Sequence, residues 1–192
     1  LADVVQNVSR LDIQLLKRSL TKHSSGLYLL PRPVELHDTN AITADNIRKV
    51  IGLLKASFTH LIIDLSKTYS PIDMTAIESA SKVVLVTQLD LPCLRNVVRL
   101  MMSFEEMDDL KDKVEIVVNR AGLDSGQISL KKAKETLGRE VFALLPNDYR
   151  TMVEVRNNGV PLIVQAPRAG ITHAIRELAS KLEGTNQRSG KD

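Results

Sequence analysis

Five short apolar runs, each bounded by turn-forming residues, stand out along the chain. They are Leu27-Tyr28-Leu29-Leu30, Leu61-Ile62-Ile63-Asp64-Leu65, Val83-Val84-Leu85-Val86-Thr87, Val114-Glu115-Ile116-Val117-Val118 and Val141-Phe142-Ala143-Leu144-Leu145. Their continuous rather than alternating hydrophobicity is the pattern of strands covered on both faces. Between them, apolar residues recur three and four apart, as in Ile47, Val50, Ile51 and Leu54, or Ile171, Ala174, Ile175, Leu178 and Leu182. That spacing gathers apolar side chains on one face of a helix. A broader apolar helix is predicted from Leu94 to Met107, with Val97, Val98, Leu100, Met101, Met102 and Phe104 as core; its width also suits a helix that meets a partner.

Capping residues punctuate the same plan. Thr43 or Asp45 can cap the helix through Leu54, and Pro92 falls in a first turn after Asp90. Ser129 precedes a Lys-rich helix that stops at Gly138, and Gly159 ends the helix after Asp148. Strand and helix in repeated alternation imply right-handed crossovers, hence an α/β fold with a mostly parallel sheet and helices on both faces. The last nine residues, 184–192, are polar and are expected to form a flexible tail behind a domain spanning residues 1–183.

Composition narrows the function classes. The chain has 192 residues, enough for one sizeable core, and its 43% hydrophobic and 26% charged residues are globular averages that exclude disorder and collagen-like repeats. No apolar run approaches the roughly 18 residues of a membrane span. The single cysteine, Cys93, cannot close an internal disulfide, which suits a reducing cytoplasm. Trp is absent and only three Tyr and three Phe occur, which argues against stacking platforms for sugars or single-stranded nucleic acid. The chain opens on Leu1-Ala2-Asp3, without Met or a signal peptide, and is expected to start inside a larger protein.

In an open parallel sheet, ligands bind beyond the carboxyl ends of the strands, so the polar residues there carry the candidate chemistry. Asp64 follows an apolar run, the placement by which a carboxylate approaches Mg²⁺ beside a phosphate, although many strands end in Asp only to cap a turn. Asn119-Arg120 and Pro146-Asn147-Asp148 end two further strands. An Asn offers a donor and an acceptor to a purine edge, and a rigid Pro turn offers backbone groups to the same ring. Taken singly, each is better accounted for by turn chemistry: Asp148 as the N-cap of the next helix, Asn119 as the start of a loop to Gly122. The four histidines share no i,i+3 or i,i+4 spacing, and no Gly-x-Ser-x-Gly elbow occurs. Cys93 reads as a small core residue.

Taken in order, Leu61-Ile62-Ile63-Asp64-Leu65, Val-Thr-Gln-Leu-Asp-Leu-Pro-Cys-Leu-Arg-Asn over 86–96, Val117-Val118-Asn119-Arg120 and Leu145-Pro146-Asn147-Asp148 resemble the MinD/ParA ATPases. The nearest likeness is to the CpaE/TadZ proteins of Flp/Tad pilus assembly, through the 86–96 phrase and His23-Ser24-Ser25-Gly26-Leu27-Tyr28-Leu29-Leu30-Pro31. The resemblance implies a P-loop NTPase fold and a deviant Walker A ATPase that dimerises around ATP and Mg²⁺ and chooses a location or partner by nucleotide state. It implies Asp64 as the switch carboxylate reaching Mg²⁺ through water. It places Asn119 and Arg120 on one side of adenine and Pro146, Asn147 and Asp148 on the other. Many MinD relatives have Pro two residues after the switch Asp; here that position is Ser66.

A phosphate cradle needs glycine-rich backbone N–H groups at a helix start with a Lys and a Ser or Thr. No Gly-x-x-x-x-Gly-Lys-Ser/Thr occurs in these 192 residues. The resemblance puts that loop in an N-terminal strand–loop–helix unit upstream of Leu1, with its strand between those at 61–65 and 83–87. The chain alone is therefore expected to bind no cofactor and to have no ATPase activity. Its strands at 61–65 and 83–87 are expected either to pair directly or to leave exposed edges. Two functions follow from the pattern: an ATP-binding dimerisation switch for positioning or pilus assembly, or a non-enzymatic scaffold. Binding of nucleic acid through Lys131, Lys132, Lys134 and Arg139 is the weaker alternative, since Lys131 and Glu135 form an ordinary solvated i,i+4 pair.

Overall fold

The computed structural model describes residues 4, 11–32, 42–66, 68–107, 110–123 and 126–188, the side chains of 185–188 excepted. The chain forms two compact units, residues 1–80 and 81–192.

In the first unit, α1 (Ile13–Arg18) is capped by Asp12 and leads into a hairpin of β1 (Thr21–Lys22) and β2 (Tyr28–Leu29). The long helix α2 (Ala44–Ser57) is capped by Thr43, whose hydroxyl accepts the Asn46 amide hydrogen, and α3 (Pro71–Ser79) completes the unit. Helix α2 buries two stripes. Val50 and Leu54 pack with Val4 and Leu16, while Ile47 and Ile51 pack with Ala76 of α3.

Two expected strands differ here. The run 61–65 is extended but pairs with no described strand: Leu61 and Leu65 turn into the helix clusters, whereas Ile62 is 93% exposed. Extended chain becomes a strand only when a neighbour takes up its backbone groups. The run 27–30 is not a buried strand but one arm of the two-residue hairpin. Gly26, at φ +90°, turns the chain, and Leu27 and Leu29 stay exposed. Tyr28 instead tilts against Phe58, with ring centroids 5.3 Å apart.

The second unit is built on a parallel three-stranded sheet, β3 (Val83–Thr87), β4 (Val114–Ala121) and β5 (Ala143–Pro146), with β4 in the middle. Ile116, Val117 and Val118 are successive residues facing alternate sides of β4, and all three are buried. Both faces of the central strand are therefore covered, as its continuous hydrophobicity predicts. On its side away from β4, β3 pairs with no described strand, and Val84 and Val86 are exposed on one of its faces.

Helix α4 (Leu91–Glu105) packs against β3 and buries Leu94, Val97, Met101 and Phe104. Asp90 caps it, accepting the Cys93 amide hydrogen at 2.8 Å. The short α5 (Leu110–Lys113) leads into β4, and α6 (Leu130–Leu137), from its Ser129 cap to left-handed Gly138, packs on α4. Arg139 donates to the Lys111 carbonyl at 3.0 Å and Lys134 pairs with Glu140, so two of the four cations considered for nucleic acid are engaged locally. After β5 come α7 (Tyr149–Asn158), α8 (Leu162–Gln165) and α9 (Gly170–Arg188), which packs on β5. Helix α9 ends at Arg188, within the polar segment 184–192; residues 189–192 lie outside the described residues. No described helix is long and apolar enough to cross a membrane.

Candidate functional site

The ladder between β4 and β5 shifts register at the carboxyl end of β4. Val118 pairs with Leu144 and Ala121 with Pro146, so β4 spends three residues where β5 spends two. The extra residue is a bulge, which re-aims side chains and ends pairing. Arg120, at the bulge, adopts φ +54°, a left-handed conformation that side chains resist. Three hydrogen bonds surround it. Asn119 Oδ1 accepts the Arg120 amide hydrogen at 2.9 Å, the Arg120 carbonyl accepts from Gln127 Nε2 at 2.9 Å, and the Asn147 amide donates to the Ala121 carbonyl at 2.9 Å.

The end of β5 is shaped by its own cap. Asp148 Oδ1 accepts the Thr151 amide hydrogen at 3.1 Å and starts α7, which directs the next turns of that helix over the strand end. A cleft of about 340 Å³ opens between these two strand ends. Asn119, Arg120, Pro146, Asn147 and Asp148, all chosen from the sequence, line it together. The capping reading of Asp148 holds at the same time, because only one of its oxygens is used by the helix.

The other walls were missed by sequence reasoning. Tyr149, Met152 and Arg156 come from α7, and Ile171 and Ile175 from α9, with Leu145 from the strand. The signal was present: spacings of three and four on α7 and four on α9 set each group on one helix face. The result is an apolar floor with an amide, carboxylate and guanidinium rim, at the lower end of the volumes that small-molecule sites span. Asn amides can pair with a heteroaromatic edge, and an Arg plane can stack on a ring.

Asp64 is not part of this cleft. It lies in the extended 58–66 segment of the first unit, exposed, and makes no hydrogen bond among the described residues. The loop after it is held firmly. Asp73, 5% exposed at the third position of α3, accepts from the Ser66 amide and hydroxyl and from the Ser70 amide and hydroxyl. Burial by itself would raise the Asp73 carboxyl; these hydrogen bonds outweigh it and hold the group below its ordinary value. Proline at position 66 has neither of the Ser66 donors, so the Ser departure is what makes this anchor possible. Between Ser66 and Asp73, Tyr69 sits at φ +50°. Burial, and then the Asp73 charge, raise its phenol. Cys93 is half-buried, and burial followed by the Asp90 carboxylate pushes its thiol up, away from nucleophilic use.

The donors, acceptors and apolar floor of the cleft suit a heteroaromatic ring, while no Gly-x-x-x-x-Gly-Lys-Ser/Thr phosphate loop occurs in these 192 residues. Among the described residues no three His, Cys, Asp or Glu side chains gather as a metal site.

No family model matches the chain. It is 25% identical over 95% of its length to the septum site-determining protein MinD of Synechocystis, covering 67% of that protein. The chain spans about two thirds of the length of the curated relatives it matches. A ParA family ATPase from Chlorobium tepidum superposes with a TM-score of 0.86 at 23% identity, over 95% of this chain and 75% of that one. The MinD of Pyrococcus horikoshii, solved with Mg-ADP, superposes at 0.79 with 20% identity, over 100% of this chain and 76% of that one. By sequence the chain is similar to MinD proteins, and by structure it shares the α/β fold of the solved ParA-family and MinD proteins.

Proposed function

We propose that the cleft at the ends of β4 and β5 receives the adenine ring of ATP, as the base-binding part of a MinD/ParA-type nucleotide switch. The observation that supports this reading is the meeting of Asn119, Arg120, Pro146, Asn147 and Asp148 in one cleft, from two strands separated by a helix. Asn119 and Arg120 take one side of the ring and the Pro146–Asp148 turn the other. Tyr149 and Arg156 extend the rim, and Ile171 and Ile175 exclude water from below. Asp64 keeps the Mg²⁺ role that the resemblance gives it, and because these 192 residues hold no phosphate loop, the expectation that the chain alone binds no cofactor narrows to the phosphates and their hydrolysis, leaving binding of the base to the cleft. The switch works in the cytoplasm as a homodimer, and the CpaE/TadZ-like phrases over 23–31 and 86–96 favour pilus-assembly or localisation proteins as its partners.

Titration of adenosine and Mg-ATP into the protein, followed by amide NMR, tests the reading. The expected result is adenine-dependent shifts at Asn119, Arg120 and Asn147, weakened about tenfold by Asn119→Ala, the scale of one hydrogen bond. A wild-type spectrum indifferent to adenosine and Mg-ATP overturns it and leaves the scaffold as the function.

A further inference from the structure

The turn that carries Arg120 into the cleft is closed by one side chain outside the cleft. Gln127 Oε1 accepts the Gly122 amide hydrogen at 3.0 Å and the Leu123 amide hydrogen at 3.1 Å, while Nε2 of the same amide donates to the Arg120 carbonyl at 2.9 Å. A single side chain thus takes up three backbone groups of residues 120–123, the work a neighbouring strand would do if the ladder continued. The next residue is fixed too: the Ile128 amide donates to the Leu89 carbonyl at 2.8 Å, tying the Gln127 backbone to the turn after β3. Arg120 meanwhile holds a left-handed φ of +54°, which persists only where the surroundings over-determine it.

We propose that Gln127 is a positioning residue for the purine cleft: by bracketing the 120–123 backbone it holds Asn119 and Arg120 in their ligand-ready places. This rests on the reading of the cleft as a purine site. The clamp needs both ends of the amide. An acceptor alone keeps Gly122 and Leu123 in place but releases the Arg120 carbonyl, and Arg120 then relaxes toward ordinary β or α backbone. Pre-organisation of this kind adds affinity without adding a contact to the ligand.

The test compares wild type, Gln127→Ala and Gln127→Glu in the full 192-residue chain, with adenosine as the probe. Amide exchange reports the loop, NMR titration the affinity and thermal unfolding the fold. Gln127→Ala is expected to expose the Gly122 and Leu123 amides to exchange and to weaken adenosine about tenfold, with an unchanged melting midpoint. Gln127→Glu, which keeps the acceptor, is expected to retain amide protection and to weaken adenosine by an intermediate factor. Wild-type affinity in Gln127→Ala overturns the proposal, whether or not the amides lose protection, while leaving the purine cleft standing. A wild-type protein that does not respond to adenosine overturns both. If Gln127→Ala lowers the melting midpoint so far that the affinity loss follows unfolding, Gln127→Glu decides: weakened adenosine binding with protected amides supports a positioning role, and wild-type affinity overturns it.

Discussion

Asp73 holds Ser66 at two points: its Oδ1 accepts the Ser66 amide hydrogen at 3.2 Å and its Oδ2 the Ser66 hydroxyl at 2.6 Å. The tie spans seven residues and joins the end of the extended 58–66 segment to the first turn of α3. Asp73→Ala removes it, removes the capping box with Ser70 and strands several donors in a buried place. The expected loss is about 2 kcal/mol, measured by urea denaturation. Ser66→Pro deletes both donors to Asp73, together with the contacts of the Ser66 hydroxyl to the Thr68 amide and hydroxyl, and about 1 kcal/mol is expected from it. Asp64→Asn, at an exposed carboxylate, should change stability by less than about 0.5 kcal/mol. Equal effects of Asp73→Ala and Asp64→Asn would show that the anchor does not stabilise the unit.

The same carboxylate sets a pH dependence. Its folded value lies below the unfolded value of 3.8, so the unfolded chain binds the proton more readily. Stability from Asp73 is therefore complete above about pH 4 and is lost as pH falls through the folded value. Asp73→Asn should flatten this acid limb. Denaturation midpoints between pH 2 and 6 that fall in parallel for the two proteins would refute the assignment.

Two glycines should respond oppositely to the same substitution. Gly52 lies inside α2 with no atom within 4 Å of an added Cβ, so Gly52→Ala should stabilise by about 0.5–1 kcal/mol. Gly138 ends α6 at φ +63° and is equally uncrowded, yet Gly138→Ala should destabilise by about 1 kcal/mol because of backbone conformation alone. Thermal unfolding of the pair decides, and a shared sign would contradict the distinction.

Arg120→Gly should separate stability from binding. It relieves the left-handed strain of about 1 kcal/mol and partly offsets this through a more flexible unfolded chain, leaving stability at or slightly above wild type. Adenosine affinity should nevertheless fall, since the guanidinium leaves the cleft rim. Loss of stability without loss of affinity would remove Arg120 from the site.

What was legible in the sequence follows from how local each signal is. The strand at 114–118 was readable because a doubly covered strand has no polar face, the one at 83–87 because its β-branched run is apolar even where Val84 and Val86 stay exposed, and the caps at Thr43, Asp90, Ser129 and Asp148 because a side chain there serves an amide three residues on. Asn119 and Asp148 were readable as strand ends. The run at 61–65 misled because hydrophobicity specifies burial of Leu61 and Leu65 but not the partner that makes a strand. The run at 27–30 misled for the converse reason: pairing came from Thr21 and Lys22, which carry no apolar signal. Gln127 was invisible because its partners are backbone groups, and backbone groups leave no mark on a sequence pattern.

The bulge between Val118 and Ala121 gives the chain an unusual sensitivity to counting. Beta-strands four and five fall out of step by a single residue there, so deleting one codon at position 120 would let the two strands run in step to Pro146. Such a protein would gain a more regular sheet and lose the Arg120 wall of the cleft. Substitutions at this place are expected to alter the cleft by degrees, and a single-codon deletion to remove one of its walls at a stroke.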